Sequence, residues 1–110
     1  MRDDFQKNTL VSIKESKLKL MAFCTSWSIP CMNQFSILEN LSPLLPGIDI
    51  IKVNIDDINT DADKFNIQAL PTLCLLSNGK EIKRFIGVQK LNTLVDVITI
   101  YLKKEKYNAY

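Results

Sequence analysis

Trp27-Ser28-Ile29-Pro30-Cys31 has the outline of a dithiol motif with one sulfur missing. Two cysteines separated by two residues at a helix start form a redox device. The positive helix N-terminus stabilises a thiolate, and the spacing lets the two sulfurs close a disulfide. Cys31 supplies the second sulfur here, whereas Ser28 occupies the first position. A serine hydroxyl has an alcohol-like pKa and no base stands near it in sequence, so Ser28 cannot attack a disulfide. The chemistry of the chain turns on that one atom.

Working outward from the motif, residues 17–24 alternate in part (Leu18, Leu20, Ala22) and then run apolar, as in a strand covered on both faces. Asp3 or Asp4 caps a preceding helix that reaches about Ser16, with Phe5, Thr9 and Ile13 at helical spacing. Beyond the motif, Pro30 lies in the first turn of a helix, where its missing N–H costs nothing. Phe35, Leu38 and Leu41 mark the inner face of that helix, and Pro43 and Pro46-Gly47 end it. Residues 48–55 form a second strand, and the acidic segment 56–63 is a loop entering a short helix over 62–65. Leu70-Pro71 precedes a third strand over 72–76. Asn78-Gly79 is a two-residue hairpin signal, so a fourth strand over 81–86 pairs antiparallel with the third. Gly87 breaks it. Leu91, Leu94, Val95, Ile98, Tyr101 and Leu102 stripe a last helix. The order αβαβαββα predicts one α/β domain over residues 1–110, frayed at 1–2 and 105–110.

Composition narrows the function. The 110 residues are 46% hydrophobic, enough for a core without disulfide staples, and the net charge is +2. The basic residues are scattered rather than interleaved with aromatics, which argues against nucleic acid as a partner. The longest apolar run near the N-terminus, Leu20 to Cys24, is too short for a secretory core or a membrane span. Three cysteines without a staple pattern suit a reducing compartment, and the cytoplasm is the expected location. The absence of histidine removes histidine-based acid–base catalysis, Cys–His nucleophiles and most zinc sites. Asp56, Asp57, Asp61 and Asp63 lack the glycine and terminal glutamate of a calcium loop. Neither metal nor cofactor is expected.

The element order, together with the Trp-x-x-Pro-Cys motif on the first strand-to-helix turn, resembles the thioredoxin family from about Asp3 to Lys104. Trp27 and Pro30-Cys31 are similar to the family's Trp-Cys-Gly-Pro-Cys site, and Lys52-Val53-Asn54-Ile55-Asp56 to its second motif strand. Leu70-Pro71-Thr72 is similar to its cis-proline segment, and Asn78-Gly79 and Gly87 fall at its hairpin turn and late glycine. The resemblance implies a thioredoxin-like fold: a four-stranded mixed sheet, the family's first strand absent, flanked by helices on both faces. It implies that Ser28 stands at the position of the attacking cysteine and that Cys31 is the resolving cysteine. It further implies that Trp27, Ile29, Pro30, Leu70, Pro71 and Thr72 bind substrate. A cis Pro71 would hold the Leu70 backbone open beside Cys31, so that an extended peptide pairs with it as an added strand.

The chain departs from the family pattern elsewhere too. Ile29 replaces the glycine between the cysteines, Ala22 the buried acid that assists the second cysteine, Cys24 a tryptophan, Met32 a lysine, and Ser36 the kink proline. Ser28 is either a natural divergence or a cysteine replaced on purpose, and the other departures cannot come from one replacement. Cys24 ends the strand feeding the motif; it packs as a small hydrophobe there, or pairs with Cys31. Cys74, inside a central strand, reads as core.

Two functions compete. One is a thiol–disulfide oxidoreductase acting on protein disulfides or extended peptides, with a thioredoxin-reductase-like reducing partner and with dithiol cycling impaired by Ser28. The alternative is a redox-silent module that binds a peptide or partner protein on the apolar lip of Trp27, Ile29 and Met32. A single-cysteine protein holding glutathione or an iron–sulfur cluster is a weaker third, since such proteins keep the first cysteine.

Overall fold

Hydrophobic patterning along β1 (Leu18–Cys24) places this strand at the middle of the sheet. The computed structural model describes residues 18–57 and 62–108; the helix expected over residues 3–16 lies outside them. Leu18, Leu20, Ala22 and Cys24 point to one face of β1, and Phe23 to the other, and all five are buried. Such two-sided burial follows when each face of a strand meets its own apolar layer. β1 runs parallel to β2 (Ile48–Asn54), in register from Leu18 opposite Ile48 to Cys24 opposite Asn54. It runs antiparallel to β3 (Thr72–Ser77), with Ala22 opposite Leu73. β4 (Lys80–Ile86) completes the order β2-β1-β3-β4, a four-stranded mixed sheet as the resemblance implied.

The hairpin between β3 and β4 turns on Asn78 and Gly79, both at positive φ (52° and 83°). That pair of conformations matches the twist of the flanking strands, which is why Asn-Gly announces the turn in sequence. A bulge in the pairing opposite Leu75 and Leu76 lets Ile82 join Phe85 in packing on the same core.

Helix α1 (Ile29–Leu41) buries Cys31, Gln34, Phe35, Leu38 and Leu41 against the Leu20 face of the sheet. It ends one residue before a 3-10 turn over Ser42–Leu44, whose Pro43 cannot donate to a continuing helix. Leu94 and Ile98 of α3 (Leu91–Asn108) are buried in the same layer. α3 continues to Asn108, through the residues 105–108 expected to fray, since extending an existing helix costs far less than starting one. On the opposite face Phe65, from the short helix α2 (Ala62–Phe65), tilts against Phe23 with ring centroids 5.2 Å apart. Helices therefore cover both faces.

Two polar ties fix the elements that frame the site. Buried Gln34 donates to the Gln89 carbonyl (3.1 Å) and accepts from the Gln89 N–H (2.6 Å), joining α1 to the segment after Gly87. Arg84 donates to the carbonyls of Phe65 (2.6 Å) and Asn66 (3.4 Å), anchoring the end of α2 to β4.

Candidate functional site

Chain reversal between β1 and α1 takes only Thr25 to Ser28, so the motif sits at the end of a central strand. Ser28 is the N-cap of α1. Its hydroxyl accepts from the Cys31 N–H (3.3 Å), and its carbonyl accepts from the Met32 N–H (3.1 Å). Serine is among the preferred caps because its short side chain satisfies an N–H that the helix leaves unpaired. The signal was present in the sequence, Ser just before a Pro-bearing first turn, but the chemical deficit at residue 28 hid it. A hydroxyl engaged as a cap is a structural part, not a nucleophile.

Cys31 is fully buried beneath that cap, whereas Ile29 and Met32 project outward, 73% and 57% exposed. Trp27 is 73% exposed, which rules out a core role for it, and its indole N–H donates to Asp56 Oδ2 (3.1 Å). That bond ties the motif to the loop after β2. The resulting wall faces the segment 67–70 across an open groove of about 390 Å³, lined by Trp27, Ser28, Ile55, Ile67, Gln68, Ala69 and Leu70.

The Leu70-Pro71 peptide bond is cis. Of the three residues expected there as substrate contacts, Leu70 alone reaches the groove. Pro71 and Thr72 are buried behind it: the Pro71 carbonyl accepts from the Gly87 N–H (2.9 Å), and the Thr72 hydroxyl donates to the Ala69 carbonyl (2.7 Å). Both residues are buried and neither lines the groove. Pro30 is exposed beside Ile29 on the lip. Sequence reasoning missed Ile55, Ile67, Gln68 and Ala69 as lining residues, because an irregular segment carries no periodic signal.

Beneath the motif, Cys24 and Cys31 share one buried apolar cluster, so the two thiols lie in the same layer. Burial pushes the Cys24 pKa well up; the neighbouring Cys31 sulfur pushes the same way, and the Lys52 ammonium opposes them. Lys52 also pairs with Glu39 at 3.8 Å and sits 4.8 Å from the Phe35 ring centroid. Ala22 is fully buried on the same face and brings no acid. Among the described residues, no group of His, Cys, Asp and Glu could hold a metal ion, and no helix is long and apolar enough to cross a membrane.

The sequence profile of the thioredoxin family matches residues 2–100. This chain belongs to the thioredoxin family. It is 35% identical over 94 residues to thioredoxin of Chlamydia trachomatis, covering 86% of this chain and 91% of that one. Over 79 residues it is 37% identical to thioredoxin H2 of Arabidopsis thaliana, covering 71% and 59% of the two chains. The solved thioredoxin of Fasciola hepatica superposes with a TM-score of 0.71 at 30% identity, covering 82% of this chain and 86% of that one. The thioredoxin fold is thus retained around a motif whose Ser28 caps a helix.

Proposed function

We propose that this protein is a thioredoxin-type thiol–disulfide oxidoreductase of protein disulfides, with ordinary dithiol cycling impaired at Ser28. The observation that supports it best is the meeting of Trp27 and Ser28, at the start of the motif, with Leu70 across one groove. An extended substrate segment lies in that groove, its disulfide directed toward the first turn of α1. Ile29, Pro30 and Met32 supply an apolar lip for the flanking residues, and Trp27, held by Asp56, closes one side. Cys31 is the thiol that carries the exchange, and Ser28 holds the helix start over it. Because exchange requires a thiolate attacker, a hydroxyl at position 28 removes the fast entry step. The setting is a reducing compartment, the cytoplasm, with a thioredoxin-reductase-like partner returning electrons.

Reduction of insulin disulfides with dithiothreitol as electron source tests the reading. This chain is expected to be weakly active, Cys31→Ala silent, and Ser28→Cys faster by at least ~100-fold, because a thiol then stands at the helix N-terminus. Equal silence of all three overturns the reading in favour of a redox-silent binding module.

A further inference from the structure

Cys24 is the buried thiol that shares a core cluster with Cys31, whereas Cys74 lies in the cluster on the other face, and the assigned site has no role for Cys24. Its position follows from the fold. Cys24 closes β1, the loop from Thr25 to Ser28 reverses the chain, and the first turn of α1 returns Cys31 onto the same sheet face. Both side chains are completely buried and both are free thiols. Ala22, next along that face, offers only a methyl group.

We propose that Cys24 is the resolving thiol of this protein, closing a Cys24–Cys31 disulfide in place of one between residues 28 and 31. The inference rests on the oxidoreductase reading above and names the partner that reading lacks. In the first step the Cys31 thiolate attacks one sulfur of a protein disulfide. The bond from Cys31 to that sulfur forms, the substrate S–S bond breaks, and the other sulfur leaves as a thiolate and takes up a proton. In the second step the Cys24 sulfur gives up its proton and attacks the Cys31 sulfur. The Cys24–Cys31 bond forms, the mixed disulfide breaks, and the second substrate sulfur leaves and is protonated. Two chain thiols are oxidised by two electrons, and one substrate disulfide becomes two thiols. A dithiol reductant reverses the first change.

Burial sets the tempo. Neither sulfur meets solvent while Ser28 caps α1, so exchange proceeds through opening of that first turn. The Lys52 ammonium favours the Cys24 thiolate against the cost of burial and is the cation that acts on it.

The test uses the full chain, first fully reduced and then exposed to glutathione disulfide as the probe oxidant. The expected product has lost two hydrogens in mass and, after cleavage following Trp27, keeps its Cys24 and Cys31 fragments joined. Cys24→Ala should instead accumulate a stable glutathione adduct on Cys31 and lose about tenfold or more of the insulin activity. Cys74→Ala should behave as the parent. Cys24→Ser, with a melting curve for each variant, separates loss of a thiol from loss of the fold. A parent that forms no Cys24–Cys31 link, or folded Cys24 variants that keep full insulin activity, overturns the inference. In the second case, activity lost with Cys31→Ala leaves the oxidoreductase reading standing. Insulin silence of parent and Ser28→Cys alike sinks that reading, while the glutathione experiment still decides whether the pair closes.

Discussion

Cys24 and Cys74 sit on opposite faces of the same sheet, each fully buried, and their surroundings differ in the one respect that matters to a sulfur. Cys74 packs with Phe23, Val53 and Leu76, and burial pushes its thiol up to about 11. The charge of Glu81 adds to that rise, while Arg84, by charge and hydrogen bond, opposes it. Arg84 and Glu81 are themselves joined by two bonds of 2.7 and 2.9 Å. Burial dominates at Cys24 as well, but its neighbour there is a second sulfur. Burial alone makes a thiol inert; a thiol beside a thiol has a bond it can form. The comparison separates a cysteine that fills space from one positioned for exchange.

The strongest way to sharpen this contrast is to hollow out the Cys74 side. Phe23→Ala removes the ring that tilts against Phe65 and should destabilise the fold by about 3–5 kcal/mol, measured by denaturant unfolding. In the folded fraction, alkylation of Cys74 should accelerate while that of Cys24 and Cys31 stays unchanged. Faster labelling of all three cysteines would mean that the two faces open together and the contrast is lost.

A smaller effect is expected on the other face. Ser28→Ala removes the cap bond to the Cys31 N–H and should cost about 0.5–2 kcal/mol. Fraying of the first turn should raise the alkylation rate of Cys31, roughly fivefold for each 1 kcal/mol lost, with Cys74 unaffected. An unchanged Cys31 rate would show that the cap does not gate the buried pair.

The last effect is confined to alkaline solution and absent at neutral pH. Cys74 holds its proton to about 11 when folded, against an ordinary value of 9.0. Above about pH 9 the unfolded chain therefore binds fewer protons than the folded one, and stability falls as pH rises toward 11. Cys24 contributes in the same direction. Unfolding free energies measured from pH 8 to 11 should decline less steeply in Cys74→Ala, and an identical slope would remove Cys74 from the account.

Much of this architecture was legible because it follows from short-range rules. Asn78-Gly79 specifies its turn through two positive φ angles, and the Leu91–Leu102 stripe specifies a helix with one buried side. The frame residues Trp27, Pro30, Cys31 and Leu70-Pro71 could be named in order. Whether each one faces the groove depends on register, and one residue of register turns a strand side chain to the other face. Pro71 and Thr72 are buried, while Gln68 and Ala69, which no pattern marks, line the groove.

By itself, the sequence determined the order of the elements from β1 onward, the thioredoxin resemblance and the missing sulfur at residue 28, since each is a matter of residue type and spacing along the chain. Tertiary structure alone decided that Ser28 spends its hydroxyl on the helix start and that Trp27 stands in solvent tied to Asp56. It also decided that Cys24 and Cys31 meet in one buried layer. The physical reason is that contact between a strand end and a helix start depends on the path of the loop between them and on which face each side chain takes. No local pattern encodes either one.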